Sequence, residues 1–128
     1  MKQVTTILAI LVGFTMNGQW SYNSNNTGVQ ASTCTASGSY STAMGDGTIA
    51  SGSRSTAMGS YTTASDYASL SIGRYNSVNS TVTAGGSAAS FDTDNAALVI
   101  GNGTGSSTKS DAFVVYFNGN ATLSGDLT

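Results

Sequence analysis

ASGSYSTAMGDGTI, ASGSRSTAMGSYTT and ASDYASLSIGRYNS, residues 36–49, 50–63 and 64–77, are three copies of one fourteen-residue unit set end to end. The first two share Ala-Ser-Gly-Ser and then Ser-Thr-Ala-Met-Gly. In the third, Ser69-Leu70-Ser71-Ile72-Gly73 stands where Ser41-Thr42-Ala43-Met44-Gly45 stood. A short fixed period marks an architecture in which each unit contacts only its neighbours. Gly45, Gly59 and Gly73 mark a corner where a residue without Cβ takes positive φ. Gly38 and Gly52 mark a second corner, taken in the third copy by Asp66, a residue type that tolerates left-handed turns. The runs between corners have the length of short strands. Two such strands and two turns close a coil, and coils stack through parallel backbone hydrogen bonds. The expected fold is all-β, a parallel β-roll or solenoid of about fourteen-residue coils.

Strand alternation then sorts the side chains. Ser41 and Ala43 face one way, with Ser55, Ala57, Ser69 and Ser71 after them. Thr42, Met44, Thr56, Met58, Leu70 and Ile72 face the other way. A fourteen-residue coil encloses only Ala- and Ser-sized groups, so the larger column needs cover from elsewhere. Burying one such aliphatic side chain contributes roughly 1.5–3 kcal/mol. Self-association is the simplest way to bury the stripe, although this argument alone does not select the number of chains.

Outward from the repeats the period fades. Residues 20–35 read as an N-terminal extension or first partial coil, and 78–95 as a polar loop insertion. The pattern returns at Ala97-Leu98-Val99-Ile100-Gly101, and Ser110-Asp111-Ala112-Phe113-Val114-Val115 suggests another coil. Residues 96–128 are thus expected to hold further coils and a connector toward a missing stalk or tail-fibre region. Val114 to Phe117, Asn118-Gly119 and Ala121 to Leu123 give a strand, a turn and a strand. No closing polar cap is evident at the last residues, which suggests the front of a longer fibre. Residues 1–19 read as a signal peptide, with Lys2 before the apolar run Val4 to Met16.

The 128 residues suggest one domain, and they include 16 Gly, no Pro and no His, with 8% charged and a formal charge of -2. Disordered chains are usually rich in charge and Pro, and this one is poor in both. No basic patch is available to neutralise phosphates, which argues against nucleic acid as a partner. Without His or Glu, nothing is placed to activate the many serines, so no enzyme is expected. Gly101-Asn102-Gly103-Thr104-Gly105 lacks the Lys-Ser/Thr ending of a phosphate cradle, and repeat corners account for its glycines. The single cysteine, Cys34, excludes an internal disulfide and reads as a small residue in a repeat column or a contact between chains. No cofactor is expected. The one weak metal candidate is a calcium loop at Asp92, Asp94 and Asn95, against a solvated turn. Tyr40, Arg54, Tyr61, Tyr67, Arg74 and Tyr75 sit at or near corners and are candidate exposed contact residues.

The Ser-Thr-Ala-Met-Gly and Ser-Leu-Ser-Ile-Gly pentads resemble the Ser-Val-Ala-Ile-Gly core of the head repeat of trimeric autotransporter adhesins, the YadA-like head or Hep/Hag repeat. The likeness covers Ala36 to Ser77 well and Ala96 to Val115 loosely. The stretch SDAFVVYFNGNATLSGDLT also looks like the segment joining such heads to a phage-type tail-fibre region. The resemblance implies a left-handed β-roll and a homotrimer about one axis. It also implies a secreted, cell-surface location on a Gram-negative-type bacterium and binding to host, matrix or surface ligands. It places Thr42, Met44, Thr56, Met58, Leu70 and Ile72 on the apolar inter-chain face, with Thr replacing Val in two copies. The family's coiled-coil stalk and membrane barrel are not in this sequence, and no direct membrane insertion is expected. Three other readings remain open: a phage-type tail-fibre or glycan-binding module, a structural spacer, and an ice-binding solenoid, although Leu70 interrupts the row of Thr42 and Thr56.

Overall fold

The structure is a computed structural model that describes residues 20–23 and 26–126, and the expected signal peptide lies outside the described residues. Eleven strands are described: β1 (Trp20–Tyr22), β2 (Val29–Ala31), β3 (Thr35–Ala36), β4 (Thr42–Asp46), β5 (Ile49–Ala50), β6 (Thr56–Ser60), β7 (Thr63–Ala64), β8 (Leu70–Arg74), β9 (Ala96–Asn102), β10 (Asp111–Tyr116) and β11 (Ala121–Leu123). They form an eight-stranded sheet, β1-β2-β4-β6-β8-β9-β10-β11, and a three-stranded sheet, β3-β5-β7. Strands β4 and β6 pair in parallel with Met44 opposite Met58, and β5 pairs with β7 with Ala50 opposite Ala64. Each coil contributes one long strand to the first sheet and one short strand to the second, and this is a β-solenoid of fourteen-residue coils. An earlier coil, β2 and β3, stacks before the repeats; its long strand is offset by thirteen residues, with Val29 opposite Thr42.

The interior is built from the smallest side chains available. Ala36, Ala43, Ala50, Ala57 and Ala64 are fully buried and pack with Cys34 in one cluster. The buried hydroxyls between them find carbonyls inside the coil: Ser41 Oγ donates to Gly38 O (2.7 Å), and Ser69 Oγ to Asp66 O (2.8 Å). Thr62 Oγ1 likewise donates to Met58 O (3.1 Å). Such pairing removes the cost of an unsatisfied buried donor, about 1–3 kcal/mol each. Cys34 takes the position of Thr48 and Thr62 in the preceding coil, as a small buried residue in a column, and its Sγ donates to Gly45 O (3.3 Å).

The two glycine columns have different causes. Gly45, Gly59 and Gly73 have φ of 116°, 115° and 95°, as a corner requires. Gly38 and Gly52 are not left-handed, which corrects the sequence expectation for that corner. They are needed because the next coil's backbone passes close by: a Cβ on Gly52 would lie 2.0 Å from Asp66 O. The left-handed positions of that corner are two residues later, at Tyr40, Arg54 and Ala68, with φ of 59°, 61° and 56°.

Both edges of the short sheet are closed by side-chain amides. At the β3 end, Asn23 Nδ2 donates to Ala36 O (2.8 Å), and Gln30 Oε1 accepts from Ala36 N (2.9 Å). At the β7 end, Asn76 Oδ1 accepts from Thr63 N (2.8 Å) while its Nδ2 donates to Thr63 O (2.9 Å). Asn79 Oδ1 accepts from Ser65 N (2.7 Å) and Asp66 N (2.6 Å). These amides do what another strand would do, and they shield an edge that would otherwise invite pairing.

The long sheet continues where the short one stops. Strand β9 pairs with β8 in parallel with Leu70 opposite Leu98 and Ile72 opposite Ile100, a jump of two periods. The intervening 78–95 segment folds beside the coils, where Tyr67 N donates to Ser87 O (2.9 Å) and Ser53 N to Ala88 O (2.8 Å). Two carboxyl groups clamp it. Asp66 accepts from Thr83 N and Ala96 N (2.7 Å each), and Asp111 from Ser77 N (2.9 Å) and Val78 N (2.7 Å). The further coil expected at Ser110 to Val115 does not form: β10 runs antiparallel to β9, and β11 antiparallel to β10. A continuous apolar run such as Ala112 to Phe117 suits a strand in either direction, and the 103–110 turn sends this one back. Val114 is buried with Ala96 and Val99 in a second small core, against which Val78 and Tyr116 pack.

Candidate functional site

Alternation along the long strands decides what one chain exposes. Ala43, Ala57 and Ser71 point into the coil and are fully buried. Thr42, Met44, Thr56, Leu70 and Ile72 are half-buried on the other side, and Met58 is 37% exposed. The register joins these six positions into two columns, Thr42–Thr56–Leu70 and Met44–Met58–Ile72. Sequence reasoning missed how far the columns run. Leu98 and Ile100 extend them on β9, Phe113 pairs with Ile100 and Val115 with Leu98 on β10, and Leu123 pairs with Phe113 on β11. At the other end Val29 pairs with Thr42, and Tyr22 with Val29. The result is an apolar band along the outer face of the whole eight-stranded sheet. The signal was in the sequence as the apolar runs Ala96 to Ile100 and Ala112 to Phe117, but the jump over the insertion concealed their register.

The corner tyrosines and arginines form two groups. Arg54 lies between Tyr40 and Tyr67, with its guanidinium carbon 5.6 and 5.3 Å from the two ring centroids. Tyr61 and Tyr75 stack with centroids 4.9 Å apart and planes at 2°, and Arg74 sits 5.2 Å from the Tyr75 centroid. Gly47 lets Tyr61 lie flat over the backbone, since a Cβ there would come within 2.7 Å of the ring. Coil stacking repeats each side chain on its neighbour, so rings and guanidinium groups at a corner line up. These side chains partner one another. Tyr61→Ala is expected to cost about 1 kcal/mol through loss of the stack, read as a lower urea midpoint with unchanged slope. Alanine is the informative replacement, because glycine at this left-handed residue (φ 53°) would also relieve the backbone.

In the calcium candidate, Asp92 Oδ1 accepts from Asp94 N (3.0 Å), an Asx turn, and the buried Asn95 amide accepts from Ser87 N (2.6 Å). Among the described residues no group of three or more His, Cys, Asp or Glu side chains is placed to hold a metal ion. In the Gly101-to-Gly105 run, a Cβ on Gly103 would lie 2.3 Å from Tyr75 O, so that glycine serves backbone packing. No helix among the described residues is long and apolar enough to cross a membrane.

Stacked coils with a small-residue interior, an uncovered apolar band and mutually stacked corner residues define a β-solenoid fibre segment. The model of the YadA head domain repeat matches in two overlapping copies, residues 36–62 and 50–76. Residues 36–76 are therefore similar to the head repeats of YadA-type adhesins. No curated protein and no solved structure shows a significant match to the chain.

Proposed function

We propose that this chain is exported to the cell surface and serves there as part of a trimeric fibre head that binds host, matrix or surface ligands. The observation that carries the reading is the apolar band. Thr42, Met44, Thr56, Met58, Leu70 and Ile72, prolonged by Leu98, Ile100, Phe113 and Val115, lie on one sheet face that a single chain leaves uncovered. Monomeric proteins rarely expose apolar patches larger than a few hundred Å², and three identical chains about an axis would cover each other's band. YadA-type heads associate in this number, which supports three over two.

Light scattering across a hundredfold dilution is expected to give three times the chain mass throughout. Ile72→Asp places a charge in the middle of the band, and it is expected to shift the sample to monomer. A wild-type monomer with full β-type circular dichroism would refute the reading.

A further inference from the structure

We propose that the groove between the 78–95 insertion and the β10–β11 hairpin is a glycan subsite, in which a sugar ring lies against Tyr116. This goes beyond the fibre reading by naming a ligand class and its place, and it rests on that reading only for the purpose of binding. Three adjoining depressions on this side of the molecule all share Tyr116. One of them, about 490 Å³, is lined by Thr83, Ala84, Asp94, Tyr116, Asn118, Asn120 and Thr122. A carboxylate (Asp94), two amides (Asn118 and Asn120) and the Thr122 hydroxyl around one half-buried ring supply donors and acceptors in the close spacing that vicinal sugar hydroxyls require, with an apolar ring for the sugar's C–H face.

Two further observations favour a ligand here. The two walls are fixed to each other, since Asn118 N donates to Thr93 O (2.9 Å) and Phe117 N to Asn95 O (3.1 Å), so little ordering would be lost on binding. The groove also opens on the side of the sheet opposite the apolar band. Thr122 pairs with the inward-facing Val114, whereas Phe113 and Leu123 pair on the band. Self-association through the band therefore leaves the groove free. Asp94 disfavours phosphate or other anionic ligands, and the polar lining disfavours an apolar peptide.

The test applies the oligomer to a glycan array and titrates the strongest hit against wild type, Thr122→Val and Asp94→Asn. Both substitutions keep side-chain shape on exposed or half-exposed positions. Each is expected to weaken binding roughly five- to tenfold through loss of hydrogen bonds, with unchanged thermal melting, whereas Thr35→Val at the far end of the stack leaves it unchanged. A blank array overturns the proposal, as does a hit insensitive to both substitutions, or a peptide-library ligand that Thr122→Val abolishes. Molar mass measured on the same samples separates the two readings: sugar binding by a monomer sinks the trimeric fibre and leaves the groove standing, and a trimer without sugar binding does the reverse.

Discussion

Gly59→Ala is expected to unfold the coil stack. Two costs coincide at this residue. Its φ of 115° is outside what an L side chain tolerates, and a Cβ would lie 2.1 Å from Gly73 O in the next coil. The obstruction is backbone, which cannot rotate aside. Relief requires separating β6 from β8, and with them the parallel hydrogen bonds that hold the rod together. The combined loss should reach about 4 kcal/mol or more, at the upper end of single-substitution effects. Gly119→Ala provides the comparison: its φ is 89°, but nothing lies within 4 Å of the added Cβ. It should cost about 1–2 kcal/mol of backbone strain alone. Urea unfolding followed by far-ultraviolet circular dichroism measures both, and equal effects would show that coil spacing is not the controlling factor.

Asp66→Ala is expected to release the insertion from the rod. The side chain is fully buried, and its two oxygens accept from Thr83 N and Ala96 N. Removing it leaves two backbone donors without partners, roughly 2–5 kcal/mol in all. Asp66→Gly, which restores the residue found at positions 38 and 52, should be equally harmful, because the loss is of acceptors and not of turn geometry. Asp66→Asn keeps one acceptor and should fall between. Hydrogen exchange reads the effect directly: protection at Thr83 and Ala96 should fall in the alanine and glycine variants while Ala43 and Ala57 keep theirs. Retained protection at Thr83 would show that Asp111 and the Asn79 amide hold the segment unaided.

The repeat portion was legible because its columns are nearly identical in sequence. Ser and Ala at alternate positions gave the interior, and Thr, Met, Leu and Ile gave the outer face, with no knowledge of the partner strand. Legibility failed where a residue's role depends on what stacks above it. Gly52 looks like a turn glycine, yet the neighbouring coil's carbonyl demands it. Asp66 looks like a tolerated exception, yet it clamps the segment that follows the last repeat. Asn76 and Asn79 look like loop polar residues, yet they finish a sheet. The direction of β10 was not readable, since the apolar run Ala112 to Val115 reads the same whether it runs up or down. The groove around Tyr116 joins residues more than thirty positions apart (Thr83 and Tyr116) through the insertion's fold-back, and no local pattern announces it.

The jump of two periods between β8 and β9 has a practical meaning. Leu70 meets Leu98 and Ile72 meets Ile100 as though nothing separated them. The rod therefore carries a cassette site, where a foreign epitope could replace exposed residues of the excursion between Asn79 and Asn95, provided that Thr83, Ser87 and Ala88 keep their backbone bonds to Asp66, Tyr67 and Ser53. A carrier built this way would hold each copy of its cargo at a fixed height along the shaft.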